Sequence, residues 1–211
     1  MKKMMMAVGF AAMVATVPQS ATASRSADWF PVSICLTMAR PIPPFPCGNV
    51  AGLSLCLLSG EDCPVYGLQA SCIGGSAESI YGVQVGAGLQ GAKEVYGLQV
   101  AGYNLSENLH GVQVGGLNVM CGRGLQVGFW NIFDRNSAAV QIGAVNTHLW
   151  KVDCDKGSAN SMQIGIINRA DGGFRLQVGG LNSSDDGSCF QIGVLNFHNG
   201  WITPLLGWSF N

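Results

Sequence analysis

Charge is scarce in this chain. Asp, Glu, Lys and Arg make up 11% of its residues, where about a quarter is usual for a soluble domain. The 11 Lys and Arg against 12 Asp and Glu leave a net charge of −1. That balance, spread along the chain, excludes the basic face of a nucleic-acid binder and gives no steering toward a charged surface. The three histidines, His110, His148 and His198, are never spaced as a metal pair, and no CxxC occurs, so no zinc site is encoded. There is no nucleophile elbow, and no glycine-rich loop leads into a lysine and a helix. The acidic loops at Asp153–Asp155 and Asp185–Asp186 lack the further ligands and closing glutamate of an EF-hand. They also lack the Gly-Gly-x-Gly-x-Asp run of calcium-binding β-helices. No catalytic, cofactor-binding or metal-ligating residue is expected, and the chain reads as a non-enzyme. Helices are missing as well: no window sets apolar residues at helical spacing behind a cap.

An apolar run does occur at the start. Met4–Val17 follows Lys2 and Lys3 and precedes the small residues Ala21 and Ala23, which reads as a signal peptide over residues 1–23. The run is too short for a spanning helix. Removing it leaves 9 Lys and Arg against 12 Asp and Glu, a net charge of −3. The first cysteine, Cys35, is far from the cleavage site, which argues against a lipid-anchored lipoprotein. All eight cysteines (Cys35, Cys47, Cys56, Cys63, Cys72, Cys121, Cys154 and Cys189) lie beyond residue 23. An even count in an exported chain favours disulfides, with 105 pairings open; Cys56 and Cys72, set in apolar phrases, also suit free buried thiols.

What the chain has in abundance is one phrase. Units of the form GLQVGxxN centre on Gln69, Gln84, Gln99, Gln113, Gln126, Gln141, Gln163, Gln177 and Gln191, at steps of 15, 15, 14, 13, 15, 22, 14 and 14 residues. A degenerate unit puts Ser54 in the Gln place. Five residues after Gln stands Asn in seven of the nine units: Asn104, Asn118, Asn131, Asn146, Asn168, Asn182 and Asn196. Such self-similarity outranks every other signal. Leu98 and Val100 flank Gln99 and therefore point to the opposite face, so each phrase is a strand, and the Gly after it marks a bend. Polar connectors separate the phrases, the longest being Lys151–Asn160, which accounts for the 22-residue step as a loop insertion.

Two all-β folds fit. In a β-solenoid each unit is a coil stacked in parallel on the last, with Gln and Asn as structural ladders and Leu and Val as the apolar stack inside. The alternative is an up-and-down outer-membrane β-barrel of about ten strands, each phrase being one strand. Duplication of single phrases rather than hairpins favours the solenoid. Residues 24–50, with Pro41, Pro43, Pro44 and Pro46, read as a Pro-rich leader or cap, residues 51–197 as the array, and residues 198–211 as a C-terminal capping strand. Tyr66, Tyr81 and Tyr96 share one repeat position. They are expected to stack, either over the apolar core or, if exposed, as a strip for sugar or peptide.

The phrase, together with "NGWITPLLGWSF" (Asn199–Phe210), resembles a leptospiral-type surface-repeat family of exported bacterial proteins. The resemblance covers roughly residues 41–211. The eight cysteines depart from the family pattern, as do the units around Gln69 and Gln84, which lack the Asn. The resemblance implies an exported or surface location and carries over no catalytic residue. The expected function is a structural, adhesive or interaction role at the cell surface, in the outer membrane or after secretion. Its partner is expected to be a surface or extracellular protein or glycan, not nucleic acid; a small barrel acting as scaffold or pore is the alternative.

Overall fold

The computed structural model describes residues 29–35, 49–60, 63–134, 138–149, 160–170, 173–185 and 187–210. The signal-peptide segment, the four prolines of the leader and most of the long connector lie outside them. Among the described residues the chain is strand with short connections: β1 (Trp29–Cys35), β2 (Asn49–Gly60), β3 (Val65–Gly86), β4 (Leu89–Asp134), β5 (Ala138–Leu149), β6 (Ser161–Arg169), β7 (Phe174–Ser184), β8 (Ser188–His198) and β9 (Trp201–Ser209). They form one sheet in sequence order. Each pair from β1 to β8 is parallel. β3 and β4 each run through more than one coil, since Gln69 and Gln84, both in β3, sit directly over one another. The fold is a β-solenoid. An up-and-down barrel would pair its neighbours antiparallel, so the barrel alternative does not hold.

Register follows the repeat. Ser54 pairs with Gln69, Gln84 with Gln99 and Gln126 with Gln141. Gln141 pairs with Gln163 across the 22-residue step, so the insertion leaves the stack undisturbed. Asn131, Asn146, Asn168, Asn182 and Asn196 align in the same way. The last strand breaks the rule. Asn199 and Gly200 both have positive φ, 46° and 79°, the geometry of a two-residue type I′ hairpin. β9 therefore folds back antiparallel on β8. Its Pro204 is tolerated because β9 is an edge strand.

One expectation is reversed. Leu and Val do not fill the interior; every repeat Gln and Asn does, each almost fully buried, while Leu68, Val85, Val140, Ile142, Ile164 and Ile192 are exposed. Val127, expected inside, is only half-buried. The physical reason lies in the coil's narrowness. A coil of about 14 residues turns so tightly that backbone carbonyls face its lumen, and a buried carbonyl needs a donor. An amide supplies one and a leucine cannot.

The apolar core is instead small and differently placed. Val50, Val65, Ile80, Val95 and Leu109 are buried in line, each four residues before Ser54 or a repeat Gln. Met120, Phe133 and Ala170, seven residues after a Gln, extend it.

The recurring Gly two residues after Gln is set by close approach. At Gly165 an added Cβ would overlap the carbonyl oxygen of Gly143 and come within 2.6 Å of Asn146 Nδ2. A second set, Gly67, Gly82 and Gly97, has φ between +136° and +143°, a region essentially reserved for glycine. Gly165→Ala is therefore expected to lower stability by about 1–3 kcal/mol in denaturant titration. Gly91→Ala, where a Cβ meets nothing within 4 Å, is expected to leave it unchanged or slightly raised.

Candidate functional site

Two hydrogen-bonded amide ladders run along the interior. In the first, each Gln Nε2 donates to the Oε1 of the Gln one coil earlier. The contacts, from Gln84 on Gln69 to Gln191 on Gln177, span 2.6–3.0 Å. In the second, each Asn Nδ2 donates to the Oδ1 of the Asn one coil later, from Asn104 on Asn118 to Asn182 on Asn196, at 2.8–2.9 Å.

The second amide hydrogen is used as well. Gln126, Gln163, Gln177 and Gln191 donate to the carbonyl six residues on, in their own coil. Asn118, Asn131, Asn146, Asn168 and Asn182 donate to the carbonyl of the residue after the next coil's Gln. These backbone partners decide which way each amide faces. They give the two ladders opposite polarity, so their aligned dipoles offset one another rather than summing as in a helix.

The irregular positions are filled by other side chains. In the two units without Asn, buried Gln90 donates to Ser71 Oγ. Gln113 also donates to Ser106 Oγ at 3.0 Å. At the C-terminal end Asn196 Nδ2 donates to the Thr203 carbonyl of β9 at 3.2 Å, so the antiparallel strand closes that ladder. Each ladder ends on an acceptor: Asn104 Oδ1 and Gln191 Oε1 have no hydrogen-bond partner among the described residues.

Outside, the tyrosines form a third stack. The rings of Tyr66 and Tyr81 lie 4.7 Å apart and those of Tyr81 and Tyr96 5.0 Å apart, within 5° of parallel. His110, on the same repeat position, continues the stack at 4.8 Å from Tyr96. All three tyrosines are exposed, so they do not cover the core. The surrounding rings strip water from the Tyr81 hydroxyl, and Tyr66, Glu94 and Tyr96 add like charge, so its pKa rises above the ordinary phenol value.

His110 is thus a residue of β4. His198 is half-buried at the end of β8, and the His148 side chain lies outside the described residues. Among the described residues no three His, Cys, Asp or Glu side chains stand close enough to hold a metal ion. Asp185 pairs with Arg169 at 3.6 Å on the exposed surface, a contact of little energetic weight.

Among the described residues Cys56 and Cys189 are buried thiols and Cys72 is an exposed one. Burial pushes the Cys189 thiol pKa up, and hydrogen bonds with Ser184 and Ser209 partly oppose the shift. The clefts are shallow and apolar. One is lined by Val140, Met162, Phe174 and Leu176, another by Ile192, Val194, Leu205 and Leu206 where β9 meets the array.

Two substitutions separate the inner from the outer positions. Gln126→Leu leaves Gln141 Nε2 and Gln113 Oε1 without their shared partner. At roughly 1–3 kcal/mol for each orphaned buried group, it is expected to cost about 2–6 kcal/mol in urea unfolding. Val127→Asp, on the outward side, is expected to keep the sheet circular dichroism of the parent; loss of the fold would return this position to the interior.

No protein-family model, no curated protein and no solved structure matches the chain.

Proposed function

We propose that the protein is a non-enzymatic, exported surface repeat protein whose role is structural, adhesive or interactive, carried by the outer faces of the solenoid. The observation behind this reading is the division of labour across each strand. The polar groups of the repeat are turned inward and consumed by one another, while the outward positions carry an ordered array of apolar and aromatic side chains. Chemistry needs polar groups that are free to act, and here the repeated ones are committed to the stack. Contact surfaces need repeated, accessible area. The resemblance to the leptospiral-type surface-repeat family supports the same location, as does the leader over residues 1–23. Disulfide bonding among the cysteines is part of the same reading of an exported chain.

A thiol already in place gives the test. Cys72 is exposed, whereas Cys56 and Cys189 are buried. Intact cells producing the full chain are treated with a membrane-impermeant maleimide. The surface reading expects labelling of the parent and weaker labelling of Cys72→Ser. Labelling of the parent only after lysis would overturn it.

A further inference from the structure

The outer surface of the solenoid is not uniform. From one residue before each repeat Gln to four after it, no unit from Leu68–Ile73 to Phe190–Leu195 contains a charged residue. Lys93, Glu94, Glu107 and Asp185, by contrast, fall in the other part of the coil. The charge-free part is a bend. Pairing passes from Gly128–Gly143 to Trp130–Val145, from Gly143–Gly165 to Val145–Ile167 and from Gly179–Gly193 to Leu181–Leu195, each time omitting the third residue after Gln. At that position the strand turns, so two successive side chains face outward and the bends stack into a convex ridge. In the C-terminal half its crest carries Phe129, Ile166 and Val194, at 69%, 65% and 67% exposure. Trp130, Ile167 and Leu195 follow on the descending flank.

The ridge runs about 38 Å over the eight steps from Gln69 to Gln191, at ~4.8 Å per coil. With six residues of strand across it, the area is roughly 700–800 Å², above the few hundred Å² usual for the largest apolar patch of a monomer. We infer that this ridge seats in the hydrocarbon of a lipid bilayer, with the solenoid lying along the membrane and its charged edge in water.

Three features single out hydrocarbon as the occupant. Both flanks of the ridge are apolar: residues after Gln such as Ile142 and Ile164 lie on one, Ile167 and Leu195 on the other. A second copy of the chain would cover one flank of a convex edge, whereas acyl chains surround both. Charge is segregated to the far side of the coil, as in helices that lie in the membrane interface with an apolar face buried about 5–10 Å deep. Finally, the carbonyls beside the bend at Val127, Ile142, Ile164, Val178 and Ile192 accept hydrogen bonds from the Asn ladder within. Those polar groups are satisfied internally, as insertion in lipid demands.

This inference deepens the surface-protein reading by naming what the surface rests on, and the two can fail separately. Vesicle binding without labelling of intact cells would keep the ridge and remove the location.

The test is flotation of the chain from Ser24 to Asn211, which contains every described strand, with phosphatidylcholine vesicles. The lipid is zwitterionic, so charge attraction is not what is read. The parent is expected to float with the vesicles. The double variant Ile166→Asp/Val194→Asp, with the parent's circular dichroism, is expected to partition about tenfold more weakly or worse, since each carboxylate must be drawn toward hydrocarbon. A parent that stays with the unbound fraction overturns the inference, as does a folded variant that floats equally well. So does a lipid-free dimer, seen by sedimentation equilibrium, that the same variant dissociates; the ridge would then belong to a second copy. If the variant fails to fold, the parent alone decides. Its tryptophan fluorescence, Trp130 included, is quenched by vesicles with brominated acyl chains if the ridge is inserted, and unquenched fluorescence overturns the inference.

Discussion

A primary amide carries two donors and an acceptor, and this fold depends on using all three at most of its inner rungs. One Gln hydrogen goes to the coil before and the other to a carbonyl of its own coil. One Asn hydrogen goes to the coil after and the other to a carbonyl of that coil. Strictly parallel stacking follows, because only in-register coils bring equal amides within 2.6–3.0 Å. The glycines follow too, since a Cβ two residues after Gln would displace the Asn amide. Even the insertion before Asn160 obeys the constraint, adding length between the coils while Gln141 still meets Gln163 at 2.8 Å.

Opposed polarity makes so long an array of dipoles tolerable. A single ladder of aligned amides would gather partial charge at its ends, as a helix does. Two ladders pointing opposite ways leave each end of the stack with one donor terminus and one acceptor terminus. At the C-terminal end β9 folds over these termini and gives Asn196 a backbone acceptor. The same strand closes the sheet edge with a proline and a tight Asn-Gly turn, devices that discourage further strand addition. The small apolar ladder from Val50 to Leu109 stabilises the N-terminal coils; before Asn104 the Asn ladder is absent, and Gln90 with Ser71 stands in for it.

Much of this was legible before any coordinates. The Gln and Asn spacing specifies register and the place of the insertion, and copying of single phrases favours the solenoid over the barrel, because stacking copies the period directly. Which face turns inward was not legible. Strict alternation shows that Gln99 and its neighbours Leu98 and Val100 occupy opposite faces, yet it is symmetric between inside and outside. The general preference of Leu for interiors and Gln for surfaces then points the wrong way here, since it takes no account of carbonyls facing a narrow lumen. The true core was within reach: Val50, Val65, Ile80, Val95 and Leu109 recur at steps of 15, 15, 15 and 14 residues. The denser Gln-centred phrase masks them. Low charge on the outer face is explained by the same inversion, since the repeat spends its polar groups inside.

The inverted coil, with amides in and aliphatics out, is the claim on which the functional reading and the membrane ridge both rest. The most direct measurement is hydrogen exchange of the Gln and Asn side-chain amides followed by NMR on the folded chain. The account requires the amide protons of Gln99 to Gln177 and of Asn118 to Asn182 to be strongly protected, exchanging only as the stack itself opens. Exchange of those side chains at the rate of free amides in solution would show that they face water, and would contradict it.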